Sequence, residues 1–476
     1  MTGGFIQLFS CSTGCYLYDV NTDSILKIGE DTYHNLKSKQ NLDNDPQIQR
    51  LKHAGYLKDS RVQVTEHPAT QTLEYFYENE LSSVTLQVTQ RCNLRCEYCV
   101  YSGKYNTRVH SDRNMDFEMA KKGIDYLLTH SKESQELRFG FYGGEPLLAF
   151  DLIKSCVEYI ESCVKDKKIV YLVTTNATLL TPAIVGFMVL HKFDITVSFD
   201  GPKEIHDKYR KFADGNRGSY DLVIQNVKYI REKYFDYFKE HLSFNTVLNP
   251  KEGYERIAEY LNKEELFREV PLTSGLVSDA GIKEEEKNDL SQEFTVEFRY
   301  EYFKLMLAKM GRLKAGGTSL LVKDQFENVN LLRGGKHQRS ESELPQKWHH
   351  GGPCIPGERS IFLNVDGNFY PCERVCECSE EAVMGNIDEG IVFDKVLRIL
   401  NVEKNTEKEC RECWAYRYCN ICIRYAEHEE EKLRKNILKR CGKMRRTVED
   451  FFKDYCVMRE LGYDFEVECT KEQRDE

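Results

Sequence analysis

The chain has 476 residues, 30% of them charged, and a formal net charge of -10 at pH 7. That length suits roughly two to four domains with ample buried core, and the acidic balance argues against general nucleic-acid binding, because phosphate affinity comes from clustered Lys and Arg. The opening "MTGGFIQLFSCSTGC" has no basic segment leading into an apolar one, and no run is long and apolar enough to span a bilayer. A soluble, cytoplasmic protein with no nucleic-acid or membrane partner is expected.

Residues 1–80 begin with the short strands "FIQLF", "CYLYDV" and "SILKI", the last two separated by the turn-forming Asn and Asp of "DVNTDS". Helical stretches follow near Thr32 to Ser38 and Asp45 to Leu57. From 81 to 330 the pattern becomes strands alternating with helices. The strands are "SVTLQVT", "LRFGFYGG", "IVYLVTTN", "DITVSFDG", "LSFNTVLN" and "VPLTSGLV"; helices include "MDFEMAKKGIDYLL" and "LIKSCVEYIESCV". Such alternation predicts an α/β fold with a parallel sheet, and six units predict a partial (β/α)6 TIM-type barrel. The cysteines of "TQRCNLRCEYCVY", then "GGEP", "TTN" and "SFDG", each fall just after a strand. Loops at the C-terminal ends of barrel strands surround the active site, so these motifs should meet in space.

Residues 340–456 are rich in cysteine with little periodicity, as expected where metal ligation substitutes for an apolar core. The tail is 457–476, and its end, "TKEQRDE", is expected to be disordered. The chain has 18 cysteines. In a reducing cytosol their short spacings suit metal-thiolate sites better than disulfides. Cys92, Cys96 and Cys99 have the spacing C-x3-C-x2-C, which gives three corners of a [4Fe-4S] cubane and leaves one iron open. A zinc site completed by a distant cysteine is the plainer alternative.

The three-cysteine loop, followed by Gly143, Gly144, Glu145 and Pro146 after the second barrel strand, resembles the radical S-adenosylmethionine (SAM) enzymes. The resemblance implies that SAM chelates the open iron and is cleaved to a 5'-deoxyadenosyl radical. Gly143, Gly144, Glu145 and Pro146 would hold its amino group, Tyr98 would lie near the adenine, and Asn176, Ser198 and Arg210 would make further cofactor contacts. Asp200 is a catalytic candidate at the rim.

Cys354, Gly367, Cys372, Cys410-x2-Cys413-x5-Cys419-x2-Cys422 and Cys441 resemble the SPASM domain, although two residues rather than three precede Cys422. That resemblance implies one auxiliary [4Fe-4S] cluster on Cys410, Cys413, Cys419 and Cys441 and another on Cys354, Cys372 and Cys422, three clusters in all. The fourth position of the latter is either filled by Cys376 or Cys378 of "CERVCEC" or open to a substrate thiolate. A zinc ribbon is the alternative for "CRECWAYRYCNIC". Cys156 and Cys163 read as helix packing residues, Cys11 and Cys15 as an ordinary thiol pair, and Cys456 and Cys469 carry no assignment. The run "KLRKNILKRCGKMRR" reads as a solvated helical face.

Residues 1–80 are similar to RiPP recognition elements, winged-helix-like domains that bind a leader peptide by strand addition. Taken together, the zones resemble ranthipeptide-type peptide maturases. The implied reaction takes a hydrogen from a cysteine-rich precursor and joins a precursor Cys sulfur to that carbon as a thioether, with flavodoxin or ferredoxin as electron donor. Glu373 in "YPCERV" stands where anaerobic sulfatase maturases carry a catalytic Asp, and is a candidate base. Formylglycine formation by such a maturase is the alternative, as are epimerisation and carbon–carbon crosslinking; a noncatalytic metal scaffold is a third reading.

Overall fold

The computed structural model describes residues 4–215, 217–283, 286, 290–323, 326, 343–350, 354–425 and 430–465. Cys469 and the "TKEQRDE" end lie outside the described residues. At the N-terminus, β1 (Ile6–Cys11), β2 (Gly14–Asp19) and β3 (Ser24–Ile28) form an antiparallel meander. The following helices, Glu30–Ser38 and Pro46–His53, close one face of it over a small core of Leu17, Ile28, Leu36 and Ile48. Asp45 starts the second helix: its side chain accepts from the backbone of Gln47 and Ile48, and from Thr32 and Asn35 of the first. β1 and β3 are the two edges of this sheet.

After β4 (Val64–Thr65), the alternating zone gives β5 (Ser83–Thr89), β6 (Glu136–Gly143), β7 (Lys168–Thr175), β8 (Phe193–Ser198), β9 (Leu242–Leu248) and β10 (Leu272–Leu276). They pair in consecutive order, every pair parallel. This parallel α/β sheet fits the expected partial barrel. Its strands are apolar because helices cover the sheet, and Phe139, Phe141, Phe193 and Phe244 are fully buried. The covering helices follow the 3.6-residue period: Phe150–Cys163 buries Ile153, Cys156, Val157 and Ile160. Cys156 packs in the core as expected, whereas Cys163 is exposed.

The sheet does not stop at six strands. After β11 (Lys347–Trp348), which pairs with β4, β12 (Ile361–Leu363) joins β5 in parallel. β13 (Asn368–Tyr370), β14 (Gly385–Asn386) and β15 (Gly390–Ile391) then extend it antiparallel to ten strands. The cysteine-rich zone thus grows from the first barrel strand, and Cys372 and Glu373 follow β13.

The long helix Glu430–Glu460 carries Cys441 and reaches back to the N-terminal sheet. Phe452 lies 4.6 Å from the Tyr18 ring and 5.8 Å from Phe9, and also meets Tyr418 and Trp414. Gln7 donates to Glu449 and Lys27 pairs with Glu460. No helix among the described residues is long and apolar enough to cross a membrane. Phe452→Ala should cost about 3–5 kcal/mol, read as a lower urea midpoint, and should speed proteolytic cleavage between the N-terminal sheet and the barrel.

Candidate active site

β5 ends at Thr89, and the loop that follows holds Cys92, Cys96 and Cys99. Backbone N–H groups turn toward the sulfurs: Leu94 to Cys92 Sγ at 3.4 Å and Tyr101 to Cys99 Sγ at 3.5 Å. Asn176 Nδ2 lies 4.0 Å from Cys92 Sγ, and Arg210 Nη1 lies 3.9 Å from Cys96 Sγ. Burial pushes the Cys92 and Cys96 thiols up to about 12 and raises Cys99, and the neighbouring sulfurs add to the rise at Cys92 and Cys96. Three crowded, desolvated sulfurs ionise only against a strong positive charge, so this all-sulfur donor set fits a soft metal or iron-sulfur group.

The turn after β6 lies directly on this loop. Gly144 N–H donates to Thr89 O at 2.9 Å and Glu145 N–H to Arg91 O at 2.8 Å. A Cβ at Gly143, where φ is 145°, would fall 1.9 Å from Thr89 O, and one at Gly144 would fall 2.1 Å from Arg91 O. Only glycine permits that approach. Pro146 opens the short turn Pro146–Ala149. The buried Glu145 carboxylate accepts from Leu147 N at 3.1 Å, Thr175 Oγ1 at 2.7 Å and Asn176 N at 2.8 Å. Burial pushes its pKa up to about 7, although these hydrogen bonds and Arg210 pull it down. Asn176 Nδ2 also donates to Asn93 Oδ1 at 2.8 Å, so "GGEP", "TTN" and the cysteine loop form one connected cluster.

At the next strand, Ser198 closes β8 opposite Asn245. Asp200 Oδ2 accepts from Arg210 Nε at 2.9 Å and from the Tyr98 hydroxyl, while Oδ1 takes Val247 N–H at 3.2 Å. Both oxygens are engaged, which makes Asp200 the anchor of Arg210 rather than a free base. The Arg210 guanidinium sits 5.6 Å from the Tyr98 ring, so Tyr98, Asp200, Arg210 and Cys96 converge.

Glu373 approaches from the other side of the mouth. Arg108, which belongs to no sequence motif, donates to Glu373 O at 2.5 Å and Val375 O at 3.1 Å and pairs with Glu377 at 2.6 Å. Gln87 of β5 donates to Glu377 Oε1 and to the Tyr101 hydroxyl, both at 2.8 Å. Tyr142, the residue before "GGEP", feels Arg108, Glu373 and Cys99 electrostatically, placing it between the cysteine loop and Glu373. Its position just before the glycines on a strand was the available signal.

In the cysteine-rich zone, Cys410, Cys413, Cys419 and Cys441 line one cavity of about 180 Å³. Thr406 Oγ1 lies 3.3 Å from Cys410 Sγ. Four thiols around one cavity fit a group held by four sulfur ligands. Cys354 and Cys422 are the sulfur neighbours of Cys372, whose thiol burial pushes up to about 12. Cys376 and Cys378 instead neighbour each other and Arg108. His349, His350 and Glu403 bring possible cation-binding atoms within 4.8 Å of one another, but His349 is already spent: Glu403 N–H donates to its Nε2 at 3.3 Å, leaving Nδ1 to donate to His350 O at 3.1 Å.

Because the folded pKa of Glu145 exceeds the ordinary 4.5, folding favours its protonated form. Its contribution to stability is therefore full below pH 4.5 and lost as pH rises through about 7. Glu145→Gln should flatten the pH dependence of the urea midpoint of the cluster-free protein across that window.

Residues 86–263 match the Radical SAM superfamily. An uncharacterized protein of Methanocaldococcus jannaschii is 32% identical over 176 residues, 34% of this chain and 58% of that protein. The cysteine-type anaerobic sulfatase-maturating enzyme of Clostridium novyi is 24% identical over 351 residues, 71% of this chain and 86% of that one. The solved structure of native anSMEcpe with bound AdoMet and Kp18Cys peptide has a TM-score of 0.55 at 21% identity, covering 78% of this chain and 99% of that one. The α/β fold is shared with that structure. The three sulfurs on the loop after β5 and the glycine turn laid over them lie inside the segment that matches the Radical SAM superfamily, and the chain is an enzyme similar to the anaerobic sulfatase maturases.

Proposed function

We propose that this enzyme is a radical SAM peptide maturase that joins a cysteine sulfur of a precursor peptide to a carbon of the same peptide as a thioether. The observation that supports this reading is the grouping of the Cys354, Cys372 and Cys422 sulfurs, next to a Glu373 whose backbone carbonyl is held by Arg108 of the loop after β5.

In this reading Cys92, Cys96 and Cys99 hold the SAM-binding cluster, Cys410, Cys413, Cys419 and Cys441 hold one auxiliary cluster, and Cys354, Cys372 and Cys422 hold another with a position left for the substrate sulfur. Bound SAM, on reduction of its cluster by a flavodoxin or ferredoxin, supplies a carbon radical able to take a hydrogen atom from the peptide. The protein's own work is positional. Gly143, Gly144, Glu145, Pro146 and Asn176 shape the side of the SAM pocket against the cysteine loop, and Tyr98, Ser198 and Arg210 face it from the next strands. Asp200 fixes the Arg210 guanidinium. Glu373 accepts the proton of the incoming thiol, and the Arg108 clamp on its backbone holds it at the mouth. Residues 1–80 act as a winged-helix-like recognition element, with a free sheet edge able to receive the leader as an added strand.

A second reading, formylglycine formation by a sulfatase-maturase activity, is favoured by the breadth of the likeness to the Clostridium novyi enzyme. Anaerobic reaction with a cysteine-containing precursor separates the two. A thioether gives loss of two hydrogens and a sulfur that no longer alkylates; formylglycine gives a hydrazide-reactive aldehyde, and an unchanged peptide removes both. Replacing Cys92, Cys96 or Cys99 by Ala should abolish deoxyadenosine formation. Glu373→Gln should slow peptide turnover about 10²–10⁴-fold while SAM cleavage without peptide continues at the parental rate.

A further inference from the structure

Two sulfurs of the loop after β13 stand outside the three groups described above. Cys376 is buried and Cys378 exposed, two residues apart in the loop after β13. The two sulfurs are near enough for each to bear on the other's ionisation. Cys378 Sγ also donates to Thr107 O at 3.3 Å, and Cys376 Sγ lies 3.8 Å from Asn106 O. Arg108 holds this loop by the carbonyls of Glu373 and Val375. Burial acts against ionisation of either sulfur, and the Arg108 charge acts for it. The pair is thus a pre-aligned dithiol with one inner and one outer member.

The outer thiol opens into a polar cavity of about 280 Å³ whose walls include Glu377, Glu380, Glu389 and Lys395. With Glu377 set against Arg108 at 2.6 Å, the two carboxylates of Glu380 and Glu389 face one ammonium. Such a mouth attracts cations and repels anions.

We propose that Cys376 and Cys378 form a thiol–disulfide exchange site that reduces cationic disulfides. The Cys378 thiolate attacks one sulfur of R–S–S–R, forming a mixed disulfide and releasing the first R–SH after protonation. Cys376 then attacks Cys378 Sγ, closing the Cys376–Cys378 disulfide and releasing the second R–SH. Two electrons and two protons pass from the protein dithiol to the small disulfide, and a low-molecular-weight thiol in excess reverses the change. The activity is independent of the radical reaction.

The test uses the full chain with its iron-sulfur groups reconstituted, treated anaerobically with cystamine or with the dianionic 3,3'-dithiodipropionate. Differential alkylation and peptide mass mapping follow the sulfurs. Cystamine should yield a Cys376–Cys378 disulfide and two free cysteamines per chain at unchanged iron content, at least tenfold faster than dithiodipropionate. Cys376→Ser should stop at the Cys378–cysteamine mixed disulfide, and Cys378→Ser should not react in this loop. Absence of the Cys376–Cys378 disulfide in the unaltered chain, equal rates for the two probes, or loss of iron in either serine variant, which would make the pair cluster ligands, would each overturn the proposal.

Discussion

The site depends first on one close backbone approach. Gly143 and Gly144 let the turn after β6 touch the strand end and loop that follow β5, where two N–H groups donate to Thr89 and Arg91. The β5–β6 register shifts between Gln87 and Thr89, just where the approach begins. Any side chain on those glycines would drive the turn from the loop and carry Glu145 away from Thr175 and Asn176. The three-sulfur loop, the buried carboxylate and the third-strand asparagine keep their relative places only because two residues have no Cβ.

Around that contact, two buried arginine–carboxylate pairs set the rest of the mouth. Asp200 aims Arg210 at Tyr98 and Cys96; Glu377 fixes Arg108 beneath the Glu373 loop. Buried ion pairs seldom add much net stability, because desolvation offsets their attraction. Their value here is geometric. Each guanidinium also bonds to other groups, so losing one partner would leave a charge stranded in an apolar setting and shift several residues together.

Much of this arrangement was legible in the sequence, for physical reasons. The first five barrel strands announced themselves because they are largely buried and separated by amphipathic helices, whereas β10 is mostly exposed and less clear, and "GGEP" and the cysteine loop fell at strand ends where the fold brings them together. What escaped was short or nonlocal. β12 to β15 have only two or three residues each, too few to show a period, so the sheet's extension past β5 left no local trace. Arg108 reads as one more surface cation in "NTRVH", and its burial follows from Glu377, some 270 positions away, arriving on that extension. Sulfur spacing grouped Cys410 with Cys413 and Cys419, but it could not tell that Cys376 and Cys378 face the Asn106 and Thr107 carbonyls instead of Cys372.

The same nonlocality links the N-terminal sheet to the sulfur-lined cavity. Helix Glu430–Glu460 contributes Cys441 to that cavity and, a few turns on, the Phe452 ring that packs against Phe9 and Tyr18. Beside that ring, Arg417 donates to the carbonyls of Val20 and Asn21, and the Tyr418 hydroxyl donates to Asp23; Cys419 is the next residue. Two separate chain segments therefore grip the sheet, and each also supplies a sulfur to one group of four. Ligation across those sulfurs would tie the segments together and contribute directly to folding, as metal binding does wherever its ligands come from distant parts of a chain. The sheet's placement and the order of the sulfur site are thus one structural problem, solved by the same few residues on either side of Cys419 and Cys441.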